Sequence, residues 1–188
     1  MPLNIQSGES KPYVKYNAKA DKWFVKKEGA DQEEEIARPT FIADFDNIKT
    51  GWFLFMEGQA PNIVYDSNLT TPAAKPSEHH KRGFEVMLYS QQAFGGAVVM
   101  TGASMHICNA INEAYEVYEK DRDTNKGMLP VVQCTGSTPQ KDKFGTNYRP
   151  SFSIVKWVAR PDALGGSAKA ETTAPAQQQP APAAVGEF

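Results

Sequence analysis

Aromatic rings and basic side chains recur together along this sequence. Trp23 lies between Lys22 and Lys26, and Trp52, Phe53 and Phe55 form a dense run. Lys81 and Arg82 precede Tyr89, and Lys141, Lys143 and Phe144 are followed by Tyr148, Arg149 and Lys156. Phe94 and Trp157 extend the set of rings. An exposed ring offers an unpaired base a face to stack on, and cations neutralise phosphates, so this mixture is the chemistry of single-strand binding. Each of these rings is equally a candidate for the core, and each cation for an ordinary surface charge. A second chemistry is available to Asp44 and Asp46, which alternate onto one face of a strand and would converge there on a divalent ion, as in a nuclease. No third carboxylate or histidine follows at an evident spacing, and neither a P-loop nor a Gly-x-Ser-x-Gly motif occurs. His79 and His80, with only His106 elsewhere, do not complete a metal site. These residues point to a binder rather than an enzyme, with no metal and no cofactor.

The elements that must position these groups follow from periodicity. Val131, Val132 and Cys134 make a short strand that ends at Thr135-Gly136-Ser137, and Asn147 to Val158 makes a longer one. Pro139 to Thr146 between them predicts a hairpin loop whose tip carries cations around Phe144; the other reading tucks that ring under its own loop. Tyr13–Tyr16 and Trp23–Lys26 read as two strands joined by a turn, and Glu28 to Ala37 as a solvated acidic loop. Pro39 to Asp46 alternates, with Phe41, Ala43 and Phe45 on one face. Lys49-Thr50-Gly51 turns the chain into Trp52–Met56, which is apolar on both faces, so one row needs a cover. Glu57 to Arg82 reads as a long loop. Gly83–Ser90 and Gly95–Thr101 are strands joined by Gln91 to Phe94. Ser104 to Lys120 is a helix, with Ile107, Cys108, Ile111, Ala114, Tyr115 and Tyr118 as its apolar stripe and Ser104 as its cap.

The length of 188 residues suits one domain with a proper core. Net charge is −2, which excludes bulk basicity as the binding device. Asp31, Glu33, Glu34 and Glu35 are one acidic run, and the tail after Asp162 sets one lysine against two glutamates; the rest of the chain carries +3. Cys108 and Cys134 sit in apolar patterns and read as buried thiols of a reducing compartment. No apolar run approaches the roughly 20 residues of a membrane span. Met1 to Tyr16 has no apolar signal core, so the expectation is a chain that is not exported. From Ala163 onward Gly, Ala, Thr, Gln and Pro dominate, which predicts a disordered tail.

Strands, one helix, then a strand hairpin is the order of an OB-fold, a five-stranded Greek-key barrel that binds oligonucleotides across strands 2 and 3 and the L12 and L45 loops. The expected fold is therefore mainly β: such a barrel over residues 1–162, with its helix between strands 3 and 4, extra amino-terminal strands, and an Ala/Pro/Gln-rich tail over 163–188. The hairpin around Phe144 is then L45. Several blocks sharpen this. Asp44-Phe45-Asp46-Asn47-Ile48-Lys49-Thr50-Gly51-Trp52, Gly58-Gln59-Ala60-Pro61, His80-Lys81-Arg82-Gly83-Phe84, Asn147-Tyr148-Arg149-Pro150-Ser151-Phe152 and Trp157-Val158-Ala159-Arg160-Pro161 resemble bacteriophage single-stranded DNA-binding proteins. That resemblance implies a non-enzymatic protein of the bacterial host cytoplasm that coats single-stranded DNA during replication or recombination. It also implies a tail that docks replication or recombination proteins; here the tail closes on Glu187-Phe188 without a run of aspartates. The alternatives are a protein-binding or structural phage component on the same barrel, and the Asp44–Asp46 nuclease.

Overall fold

The computed structural model describes residues 11–165. The chain runs β1 (Tyr13–Asn17), β2 (Lys22–Lys26), β3 (Glu34–Ile36), β4 (Thr40–Ala43), a 3-10 turn (Phe45–Asn47), β5 (Lys49–Leu54), β6 (Asn62–Tyr65) and β7 (Lys81–Ser90). Then follow α1 (Gln91–Phe94), β8 (Gly96–Gly102), α2 (Met105–Asp121), β9 (Met128–Asp142), β10 (Gly145–Ala159) and a closing 3-10 turn (Asp162–Leu164). The protein is mainly β. All ten strands join one open mixed sheet, ordered β10-β9-β4-β7-β8-β1-β2-β3, with β5 on β7 and β6 on β5. Among the described strands, only β1 and β8 run parallel. The expected tail and its docking role fall almost wholly outside the described residues, as do Met1 to Ser10.

Alternation builds the core. Phe41 and Ala43 of β4, Phe84, Val86 and Leu88 of β7, and Val98 and Met100 of β8 all point inward and are buried. Helix α2 lays Ile107, Ala110, Ile111, Ala114 and Tyr118 against them, a stripe at three- and four-residue spacing. Cys108 and Tyr115 fall on its half-buried flanks rather than at its centre. Ser104 holds the cap position, but its side chain makes no capping bond. Ser90 does cap α1, accepting from the Ala93 amide, and Gly95 ends that single turn at φ 74°.

Four expectations change, the first being that Glu57 to Arg82, expected as a long loop, contains β6 and the start of β7. The acidic segment is not a free loop, because Glu34–Ile36 pairs with β2. The chain bends at the 3-10 turn before β5, not at Lys49-Thr50-Gly51, which are already paired with β7. The stretch expected as the Pro139–Thr146 loop is itself ladder, leaving only Lys143 and Phe144 between β9 and β10. Two register shifts bend this hairpin. At the second, Val155 is the extra residue and stands exposed, so Ile154 and Trp157 both turn inward. That insertion is why the alternation of β10 changes character along its length.

The two halves of the sheet curl over one core. Trp23 of β2 packs against Phe152 of β10, with ring centroids 6.0 Å apart. The Tyr148 amide donates to the Ala18 carbonyl at 2.7 Å. Asp21 sits in the left-handed region at φ 53°. Its carboxylate accepts from Tyr16, Arg38 and Ser137, which fastens the β1–β2 turn to the root of the β9–β10 hairpin.

Candidate functional site

Among the described residues, the β9–β10 hairpin carries the most exposed large ring. Beyond the Ser137–Asp21 contact, β9 runs on to Asp142, about 16 Å at the usual strand rise. The turn is Lys143-Phe144, tightened by Gly145 at φ 123° and by the Asp142 carboxylate accepting from the Phe144 amide. Phe144 is 83% exposed. The Lys143 ammonium stands 4.9 Å from the centre of that ring, and Lys141 is exposed on the adjoining strand. Neither lysine forms an ion pair among the described residues. Phe144 is therefore not tucked under its loop. Among the described residues, the two-residue turn leaves no chain to cover it.

A second surface lies on the outer face of β5, β6 and β7. Phe53 stacks on Phe55 at 6.1 Å and meets Tyr65 edge-on at 6.3 Å. Phe55 is half exposed, whereas Phe53 is 1% exposed and lies flat on the sheet. Gly83 permits this: a β-carbon there would come within 2.7 Å of the Phe53 ring and 2.4 Å of the Gly102 carbonyl. The Lys49 ammonium sits 5.2 Å from the Tyr65 ring, and Lys81 is opposite Phe53 in the ladder. Tyr65 and Lys49 escaped the sequence reading, although Asn62-Ile63-Val64-Tyr65 is a readable strand inside its polar surroundings. Pairing registers place this surface toward the end of β5, whereas the hairpin extends past the start of β4.

The remaining candidates divide by what occupies them. Trp23 is 2% exposed and belongs to the core, because it alternates with Phe24 and takes the inward register. Phe53, on the outer face, is covered by its neighbours, and Phe94 is core beside Phe41. None of these three offers a free face. Trp52 is half-buried: its Nε1 donates to the Ala73 carbonyl, and Lys75 and Arg82 stand 5.4 and 5.2 Å from its ring. Trp157 stacks on Tyr118 at 5.7 Å. Lys22 is paired with Glu35, and Arg149 with Glu113 of α2. Tyr89 and Tyr148 are half-buried, Lys26 is half-buried beside Glu33, and Lys81 and Lys156 are exposed.

Arg82 is committed to Asp66. Its two terminal nitrogens donate to the two carboxylate oxygens at 2.8 and 2.5 Å, and Thr50 and the Ala73 amide donate to the same group. Asp66 thus ties the chain after β6 to β5 and β7. A cleft of about 350 Å³ between β5, β7 and α2 opens beside it, but its Thr50 and Arg82 already serve this carboxylate. The Arg82 fork, outweighing the cost of burial, holds the Asp66 carboxyl well below the usual carboxylate range. A depressed folded-state value stabilises the fold above the ordinary carboxyl pKa of about 3.9 and loses that contribution as pH falls toward the lower folded value. Asp66→Asn should therefore melt below the parent at pH 7, with the gap closing as both are taken below pH 3. A gap that is constant with pH would show that packing, not charge, is what the substitution removes.

Asp44 and Asp46 converge, but on a cation that the chain supplies. Arg160 donates to both Asp44 oxygens at 2.7 and 2.8 Å and to Asp46 at 3.2 Å. Asn47 also donates to Asp44, and the Tyr118 hydroxyl to Asp46. Two blocks of the resemblance, Asp44–Trp52 and Trp157–Pro161, thus meet in this one cluster. His80 is buried, with Nδ1 2.7 Å from Ser77 Oγ and Nε2 3.4 Å from Asn62 Oδ1, so its surroundings hold a loop. No protein-family model, curated protein or solved structure matches the chain.

Proposed function

We propose that the chain binds single-stranded DNA without sequence preference and without catalysis, coating strands exposed during phage replication or recombination. The observation that carries this is Phe144, a phenylalanine held 83% in solvent at the end of a long hairpin with lysine beside it. Burying such a ring is worth roughly 1.5–3 kcal/mol, so the fold forgoes a stabilising contact there. A base stacked on that face supplies the missing cover, and Lys141 and Lys143 supply charge for the flanking phosphates.

Strand order supports an OB-fold-like barrel beneath this surface. β4 and β5 both pair with β7 and act as one bent strand. Counted so, and with β6 set aside as an added partner of β5, the strands β4/β5, β7 and β8 follow one another, and β9 returns after α2 to lie beside the first. That is Greek-key order with the helix between the third and fourth strands. β10 is the fifth strand, its hairpin with β9 takes the L45 position, and β1–β3 are the additional amino-terminal strands. The Arg160 clasp on Asp44 and Asp46 weighs against the nuclease reading, since both carboxylates are already matched.

Anisotropy titrations with labelled oligo-dT, the matching duplex and RNA of the same length test the proposal. Oligo-dT should bind more tightly than duplex. Log K should fall with log salt at about −0.7 per phosphate contact, on the order of −2 to −4 for roughly three to five contacts. Equal affinity for duplex, a slope steeper than about −6, or chelator-sensitive cleavage of the strand would each contradict it.

A further inference from the structure

The outer face of β1, β2 and β3 repeats the ring-and-cation chemistry of the hairpin, with carboxylates lying on it. The ladder aligns Lys15 with Phe24, Tyr13 with Lys26, and Asn17 with Lys22, while Val14, Tyr16, Trp23 and Val25 face inward. Phe24 is half-buried, with the Lys15 ammonium 5.7 Å from its ring. Glu35 is opposite Phe24 in the ladder and binds Lys22 at 2.8 Å. Glu33, two residues earlier, binds Lys15 at 2.6 Å and accepts from the Tyr13 hydroxyl. Glu34 takes Lys27 at 2.8 Å. Glu34, opposite inward-facing Val25, belongs to the other face, so it is the alternate carboxylates Glu33 and Glu35 that meet Lys15 and Lys22 around the phenylalanine, as phosphates of a bound strand would.

We propose that this face is a second single-strand-binding surface, with Phe24 as its stacking ring and Lys15, Lys22 and Lys26 as its phosphate contacts, and that Glu33 and Glu35 cover it until a strand displaces them. The proposal rests on the single-strand reading for its ligand, whereas the covered cationic face stands on the ion pairs alone. Displacement is physically cheap. β3 is three residues long and, among the described residues, lies at the end of the sheet order and pairs only with β2. The Lys22–Glu35 pair is solvent-exposed, and exposed pairs contribute little to stability, whereas Glu33 is less exposed and also accepts from Tyr13. Each phosphate that replaces a carboxylate restores the charge balance of its lysine.

The test is the double variant Glu33→Gln with Glu35→Gln in the full chain, against Glu57→Gln with Glu78→Gln, which makes the same charge change at exposed positions elsewhere. Oligo-dT affinity across salt, elution from heparin and melting temperature are read for each. The uncovering variant should bind oligo-dT several-fold more tightly than the parent. Its salt slope should be steeper by about 1.4, two contacts at 0.7 each. It should also elute from heparin at higher salt than the charge control. Adding Phe24→Ala should remove the gain in oligo-dT affinity while leaving the steeper slope. If the parent fails to bind oligo-dT, the function proposed above fails, and heparin elution alone then decides whether a covered cationic face exists. Equal behaviour of the two double variants on both probes overturns the proposal. Should the double variant not fold, Glu35→Gln alone, against Glu57→Gln alone, decides with half the change in slope.

Discussion

Replacing Arg160 with methionine should destabilise the fold by about 3–5 kcal/mol, the usual cost of stripping one partner from a buried ion pair. The Asp44 side chain is 2% exposed, and Arg160 supplies its two strongest contacts. Without the guanidinium, Asp44 and Asp46 keep the neutral donors of Asn47 and Tyr118 among the described side chains. Lysine at 160 should recover little, because a point charge cannot span both oxygens of Asp44 and reach Asp46 as the planar fork does. Adding Asp44→Asn to Arg160→Met should restore part of the loss, since the two residues share one interaction. Urea unfolding of the four proteins measures all of this. A loss below about 1 kcal/mol for Arg160→Met would mean that water takes over the role of the guanidinium. The effect is on the scaffold, because the cluster joins the bend before β5, the end of β10 and helix α2.

Phe144→Ala should weaken oligo-dT binding by about 1–3 kcal/mol and leave the melting temperature unchanged. The ring has almost no protein contact to lose, so any cost must come from the ligand. The loss should be nearly independent of salt, because no charge changes. Lys141→Ala with Lys143→Ala should do the opposite, flattening the salt slope by about 1.4, two contacts at 0.7 each. These signatures separate stacking from phosphate contact within one hairpin. Normal binding by Phe144→Ala, together with the parent slope in the lysine pair, would remove the hairpin from the site. A fall of several degrees in melting temperature for Phe144→Ala would contradict the exposure of the ring.

Much of the scaffold was legible because it follows one period at a time. Phe41 and Ala43 alternate inward as read, and the α2 stripe falls where three- and four-residue spacing puts it. The hairpin around Phe144 was readable from apolar runs on both sides of a polar stretch. What escaped depends on partners distant in sequence. Trp23 is the ring flanked by lysines in the sequence, but the β1–β2 register turns it inward and turns Phe24 outward. Only the tertiary position of β2 decides between the two faces. Glu33 to Glu35 read as a solvated run because their lysines, 15, 22 and 27, lie on other segments. Phe53 looked available on an outer face, and it is the absence of a side chain at Gly83 that lets the ring lie down and be covered. The carboxylate pair suggested a metal because its true counter-ion, Arg160, is more than a hundred residues away.

Ultraviolet crosslinking of oligo-dT to the full chain, with the adducts located by mass spectrometry, tests the central claim most directly. Strand binding at the hairpin predicts an adduct on the peptide that carries Phe144, lost when Phe144 is replaced by alanine and competed away by unlabelled single strand but not by duplex. The absence of any adduct, or adducts that never include the hairpin and persist in Phe144→Ala, would contradict it.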